Sequence, residues 1–195
     1  MLKPMGLDDL DQISPWFWNV NDVAMFDRTL PLPVNADFLR ESWRVALSYA
    51  DPPRAYWFVA ARSDGKPLGV GGLQAINYIH GDAVLPMFIS DEARGMGLAT
   101  AITCRMLDMA FDRLRLHRVT TFYRADNDAS QHVLTKLGFS EEGRQREGWF
   151  VDGARLDIVH SGILASDWRE RRAEVMDMLG SPGKVRLAFM GESNV

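Results

Sequence analysis

Arg94-Gly95-Met96-Gly97-Leu98-Ala99 is the stretch whose residue types and spacing could do chemistry with least help from the rest of the chain. An apolar run ending at Phe88-Ile89 meets a tight glycine loop there, and the loop opens directly into residues with helical periodicity. Gly95 and Gly97 permit backbone angles that a side chain forbids and let a ligand approach the main chain closely. The first N–H groups of the helix that follows have no partner inside it, and together with the helix dipole they attract a pyrophosphate. A nucleotide-hydrolase loop is excluded, because Gly-Lys-Ser/Thr is absent. A dinucleotide fold is disfavoured too: the full Gly-x-Gly-x-x-Gly is missing, and no acidic residue is placed for a ribose. His80, His117, His132 and His160 lack metal-ligand spacing and read as surface or core residues, so no metal is expected. Cys104 lies on the apolar side of the helix after the loop and reads as packing.

The elements that must position the loop follow from periodicity and punctuation. Leu2 to Met5 reads as a short strand, and Leu7 to Trp18 as a helix favoured by Asp8 and Asp9 at its start. Asn21 to Arg28 adds one or two turns, Leu30-Pro31-Leu32-Pro33 interrupts, and Asn35 restarts a helix to about Ala50 that Asp51-Pro52-Pro53 ends. Tyr56 to Ala61 and Leu68 to Ile79 are strands joined by Ser63-Asp64-Gly65, with Gly69, Gly71 and Gly72 suggesting bulges. After a turn at Gly81-Asp82, one strand from Ala83 to Ile89 feeds the glycine loop, and Leu98 to Leu114 is helical. Val119 to Tyr123 is a strand, Asp128 to Leu137 a short helix capped by Gly138, and Trp149 to Leu164 a hairpin turned at Asp152-Gly153. A charged helix from Asp167 to Leu179 and a strand from Lys184 to Met190 close the chain. That last strand joins either this sheet or the sheet of a second copy, so a homodimer is one reading.

Composition bounds the function. With 195 residues, 47% hydrophobic and 25% charged, the chain suits one domain with a real core over residues 1–195. A formal charge of −4 argues against nucleic acid or an anionic membrane as the partner and slightly favours a cationic one. A single cysteine rules out an internal disulfide framework, and Met1 to Leu10 resembles neither a signal peptide nor a membrane helix. The expected setting is cytoplasmic.

Two linked motifs turn these signals into a family. Arg94-Gly95-Met96-Gly97-Leu98-Ala99 matches Arg/Gln-x-x-Gly-x-Gly/Ala, and about thirty residues later Asn127-Asp128-Ala129-Ser130 precedes Leu134-Thr135-Lys136-Leu137-Gly138-Phe139. With the order of elements around them, these resemble the GCN5-related N-acetyltransferase (GNAT) superfamily over roughly Tyr56 to Trp168. Glu142-Gly143, Arg146-Glu147, Asp157 and Ile163-Leu164-Ala165-Ser166-Asp167-Trp168 are similar to the ribosomal-protein N-terminal acetyltransferase-like branch. One departure stands out. Many members carry a general-acid tyrosine seven residues after the motif asparagine, where this chain has Leu134.

The resemblance implies an α/β (α+β) fold, a mixed, mostly antiparallel, splayed sheet of six or seven strands with helices on both faces. Residues 1–55 would form the acceptor side, 56–168 the motif-bearing core and 181–195 an extension. It implies acetyl-CoA as cosubstrate. The backbone of Met87, Phe88 and Ile89 would pair with pantetheine, and Arg94 with the amides of Gly95, Met96, Gly97, Leu98 and Ala99 would hold the pyrophosphate. The Asn127 amide would bond the pantetheine arm, Ser130 would meet the departing sulfur, and Lys136 would neutralise a coenzyme phosphate or simply be solvated. Ser130 could equally cap its own helix. Glu147 is the first choice as base, with a two-residue slip placing Trp149 there. Asp157 is the reserve, or a structural hydrogen-bond acceptor. Trp16, Phe17 and Trp18, with Tyr49, Tyr56 and Trp57, are core residues or walls for an apolar or sugar-like acceptor. The expected activity is acetyl transfer to a primary amine by direct attack in a ternary complex. The acceptor is a protein N-terminus, an amino sugar, an amino acid or a polyamine. The rival is a catalytically weak acyl-CoA-binding regulatory module, which the missing tyrosine would suit.

Overall fold

A strand divided at Pro86 is the central feature of the sheet. The computed structural model describes residues 1–19, 21–22, 35–48, 50–180 and 187–191. In it, β1 (Leu2–Pro4), β2 (Tyr56–Ala61), β3 (Pro67–Asn77), β4 (Asp82–Val84), β5 (Met87–Ile89), β6 (Arg118–Arg124), β7 (Ser140–Val151) and β8 (Ala154–Leu164) form one sheet. Its order is β1-β2-β3-β4-β6-β8-β7, with β5 paired to β3. Every named pairing is antiparallel except β4 with β6. The single strand expected over Ala83–Ile89 is therefore two, which raises the count to eight. Leu85 still donates its N–H to Thr120 O (2.8 Å), and Thr121 Oγ1 donates to Leu85 O (2.9 Å). Pro86 then turns its carbonyl to β3, accepting from Gly72 N (3.2 Å), and the pairing with β6 goes no further. From there β5 stays with β3, in the register Gly71↔Met87, Val70↔Phe88 and Gly69↔Ile89, while β6 stays with β8. The sheet splays open between β5 and the second half of β6.

Strand alternation sends side chains to two cores. On one face, α3 (Leu98–Asp108) and α5 (Ala165–Gly180) pack Ile102, Met106 and Trp168 against Leu73, Val119 and Ile163. On the other, α1 (Leu10–Ile13) and α2 (Ala36–Ala46) set Ile13, Leu39 and Trp43 over Trp57, Val59 and Val70. A further helix, α4 (Asp128–Leu137), follows β6 and ends at Gly138, which has the left-handed φ of 94° expected of a glycine cap.

Several boundaries differ from expectation for identifiable reasons. The Leu7–Trp18 helix is a 3-10 turn, α1, and a second 3-10 segment over Ser14–Trp18, where Pro15 removes a helical donor. Asn35 caps α2 by accepting from Phe38 N (2.8 Å), but the helix stops at Ala46, because Ser48 N and Oγ both turn back to Val45 O (3.2 and 2.8 Å). Of Gly69, Gly71 and Gly72, only Gly69 borders a bulge: Ala60 pairs with Gly69 but Ala61 with Pro67, which leaves Leu68 as an extra residue in β3. A second irregularity in β3 falls between Gln74 and Asn77, at Ala75 with φ of 51°, and Gly71 and Gly72 instead allow close packing. The long helix passes at Met109–Arg113 into a π-helical turn. The hairpin's first arm begins at Ser140 rather than Trp149. Asn21 and Asp22 are helical, whereas 23–34, with the Leu30–Pro33 interruption, lie outside the described residues. So do 184–186. Leu187–Met190 runs along β1 of its own chain, with Leu2 N donating to Ala188 O and Met190 N to Leu2 O (both 2.8 Å).

Candidate active site

The glycine loop has the geometry its sequence requires. Ser90 is anchored by donating both N–H (3.0 Å) and Oγ (2.9 Å) to Leu68 O, and a 3-10 turn over Asp91–Ala93 leads to an extended Arg94. Gly95 (φ 74°) and Gly97 (φ 83°) are left-handed, and Gly97 is the N-cap of α3. A Cβ at either glycine would meet nothing within 4 Å, so their need is conformational and the space beside them is open. The first helical bond there is Ala101 N to Gly97 O (3.1 Å). The N–H groups of Leu98, Ala99 and Thr100 thus have no helical acceptor, and a ligand anion can take them. Met96 is exposed at the loop tip. The Arg94 guanidinium is already engaged, with Nη2 2.6 Å from Asp22 Oδ1 and Nη1 paired to Asp91.

The opening behind the loop is lined by main chain. Gly72 N donates to Pro86 O (3.2 Å) and Ser90 N to Leu68 O, so Pro86, Phe88 and Ser90 turn their backbone groups toward β3. Alternation then turns the N–H and C=O of Met87 and Ile89 into the splay. This corrects the expectation for Phe88. Its backbone belongs to the ladder, and its ring stacks with Trp16 and Phe17 (centroids 5.6 and 5.5 Å). Pro86 and Thr121, which lie where the strand divides, were not singled out from sequence, although a proline inside an apolar strand was the available signal.

Across the opening, Asn127 is the N-cap of α4, its Oδ1 accepting from Ser130 N (3.0 Å). The cap is therefore Asn127 and not Ser130, which corrects the capping alternative for the serine. Asn127 keeps its NH2 as a donor. The Ser130 hydroxyl is half-buried and makes no hydrogen bond among the described residues. Leu134 is buried in the α3-side core. Lys136 lies in the last turn of α4, about 13 Å along the helix axis from Asn127 at 1.5 Å per residue. Its carbonyl accepts from Arg171 Nε (3.3 Å).

The opposite face of the splay carries aromatic rings. Val119 and Tyr123 point into the α3-side core, so Phe122 points the other way, as do its Cα partner His160 and Trp149 opposite Leu156. Phe122 is 39% exposed, with centroids 6.4 Å from Trp149 and 6.0 Å from His160. Phe122 and His160 escaped sequence reasoning as site residues; an aromatic on the non-core face of a strand was the signal. Glu147 is exposed and sits with φ of 51° in the irregularity between Gln145 and Trp149. Its N–H donates to Asp157 Oδ1 (2.9 Å), so Asp157 fills the structural-acceptor role. Trp16, Phe17 and Trp57 are on the α1/α2 side, with Phe17 and Trp57 in its core. Tyr56 packs against the other core, Trp18 is exposed, and Tyr49 lies outside the described residues.

Cys104 is buried, and burial together with the nearby Asp108 carboxylate pushes its thiol up to about 12. The thiolate is the reactive form, so the native protein is expected to be silent to a disulfide reagent at pH 8 and to release one equivalent only on unfolding. Appreciable labelling of the folded chain would contradict that burial. Among the described residues no group of three or more His, Cys, Asp and Glu could hold a metal ion, and no helix is long and apolar enough to cross a membrane.

A strand that leaves its neighbour at a proline, a glycine loop and an N-capped second helix across the gap are the parts of an acyl-CoA-dependent acetyltransferase fold. Residues 1–140 match the acetyltransferase (GNAT) domain family, and the chain belongs to it. It is 32% identical over 114 residues to spermidine N(1)-acetyltransferase of Vibrio cholerae, covering 58% of this chain and 66% of that protein. It is 31% identical over 105 residues to YdaF of Bacillus subtilis, which carries the name of a ribosomal N-acetyltransferase, covering 54% of this chain and 57% of that protein. The chain thus spans between about half and two thirds of these relatives' lengths in the matched segments. The crystal structure of Vibrio cholerae spermidine N-acetyltransferase with CoA and spermine superposes with a TM-score of 0.78 at 27% identity, covering 87% of this chain and 97% of that one.

Proposed function

We propose that the chain transfers an acetyl group from acetyl-CoA to the primary amine of a small molecule, within a ternary complex and without an acyl-enzyme. The observation that carries this reading is the splay after Pro86, which turns the backbone of Met87 and Ile89 toward a gap that runs into the Gly95–Gly97 cradle. Pantetheine fits that gap as a substitute strand, and one of the two N–H groups polarises the thioester carbonyl. The amides of Gly95, Met96, Gly97, Leu98 and Ala99, with Arg94, hold the pyrophosphate. Asn127 Nδ2 bonds the pantetheine arm, and Lys136, further along α4, serves an outlying phosphate.

The reaction needs a free amine lone pair, so Glu147 takes the ammonium proton. The nitrogen then attacks the carbonyl carbon, the C–N bond forms, the second amine proton passes to solvent and the C–S bond breaks. The sulfur leaves with the electron pair and takes a proton from the Ser130 hydroxyl, which solvent replenishes. A thiol of ordinary pKa near 8.5 is a tolerable leaving group, so this acid can be weak. The acceptor approaches from the Phe122, Trp149 and His160 face, because α3 and α5 occupy the other. Relatives named for spermidine support a small-amine acceptor, and a protein N-terminus is the second class to try.

The test is thermal stabilisation by acetyl-CoA against NAD and ATP, followed by thiol release with spermidine, spermine, an amino sugar and an N-terminal peptide. Selective stabilisation by acetyl-CoA and amine-dependent release are expected. Ser130→Ala should lose about tenfold in kcat and Glu147→Gln about a hundredfold. Binding without release on any amine would replace the transferase with an acyl-CoA-binding module.

A further inference from the structure

We propose that Asp22 competes with the coenzyme pyrophosphate for Arg94 and thereby sets coenzyme affinity. This rests on the reading of Arg94 and the glycine loop as the pyrophosphate site. Asp22 lies on the acceptor side of the chain, 72 residues before Arg94, and no loop motif includes it. Its Oδ1 is 2.6 Å from Arg94 Nη2, and its side chain is only 15% exposed. Asp91 pairs with Nη1 of the same guanidinium but is 68% exposed, and the adjacent Glu92 is taken by Lys66 at 2.5 Å.

Charge decides what the arriving ligand meets. A guanidinium carries one positive charge and recognises phosphate best through two parallel N–H bonds. Here both terminal nitrogens already donate to carboxylates, so the cluster of Arg94, Asp22 and Asp91 presents a net negative charge to an anion. The N-terminus of α3 offers only about half a positive charge in compensation. The pyrophosphate therefore binds by exchange, taking Arg94 N–H groups away from a carboxylate. Asp91 is solvated and gives way at little cost. Asp22, mostly shielded from water, is the stronger competitor, because its attraction to Arg94 is less screened.

The experiment is calorimetric titration of the full chain with CoA, for the unaltered protein, Asp22→Asn, Arg94→Ala and the double variant. Competition predicts that Asp22→Asn binds CoA about fivefold more tightly, that Arg94→Ala binds more weakly, and that Asp22→Asn has no further effect on the Arg94→Ala background. Asp22→Ser serves as a second variant should the asparagine disturb the fold, as judged by the apo melting temperature. Weaker or unchanged binding in both Asp22 variants would make the carboxylate a positioning partner of Arg94 or a bystander and overturn the proposal. The same tightening on the Arg94→Ala background would also overturn it, because the effect would not pass through that guanidinium. Absence of CoA binding by the unaltered chain would instead overturn the functional reading on which the proposal rests.

Discussion

Gly97→Val is expected to weaken acetyl-CoA binding by more than about a hundredfold while lowering the apo melting temperature by only a few degrees. Gly97 has a φ of 83° and is the N-cap of α3. A left-handed conformation costs an ordinary L-residue about 1–2 kcal/mol, and a β-branched residue is a genuine outlier there. The valine therefore pulls φ negative. That rotates the peptide groups on either side, and the Leu98 and Ala99 N–H directions that make the cradle are lost. The fold tolerates the change, since a Cβ at this position meets nothing within 4 Å. Calorimetric titration with acetyl-CoA and a thermal melt on the same preparation separate the two effects. Retained affinity would remove the glycine loop from the coenzyme site.

Gly72→Ala should do the reverse, destroying stability rather than binding. A Cβ at Gly72 would lie 2.2 Å from Tyr56 O, 3.1 Å from Trp57 Cδ2 and 3.2 Å from Trp57 Cα. The nearest of these is backbone, held in the β2–β3 register where Trp57 pairs with Gly72, so it cannot yield without breaking the ladder. The variant is expected to lose about 3 kcal/mol or more, seen as a fall in the urea midpoint or as insoluble protein. Gly143→Ala is the control. It lies on the edge strand β7 with no heavy atom within 4 Å, and should fall within about 0.5 kcal/mol of the unaltered chain. Equal stability of the two variants would mean that β2 and β3 do not approach as described.

Much of the chemistry is legible in the amino-acid sequence because its determinants are local. The bounds of Tyr56–Ala61 and Asp128–Leu137, the cap at Gly138 and the left-handed Gly95 and Gly97 all agree with what the sequence predicts. Each depends on residues within a turn or two of itself. Less of β7 is legible, because Ser140–Glu147 is an edge segment exposed on both faces and carries no apolar alternation. The π-helical turn at Met109–Arg113 continues the apolar pattern of α3, and that pattern does not distinguish the two windings.

The sequence by itself determined a glycine cradle at a helix start, an asparagine-capped second helix about thirty residues on, and hence the family, since each is written in neighbouring residues. The tertiary structure alone decided the rest. Whether the proline-bearing strand stays in the ladder or leaves it depends on what Gly72 and Thr121 offer on either side. That Phe122, Trp149 and His160 share one face depends on a register set across β6, β8 and β7. The Arg94–Asp22 pair joins residues 72 positions apart. Such contacts are properties of pairing between distant segments, and no periodicity within one segment encodes them.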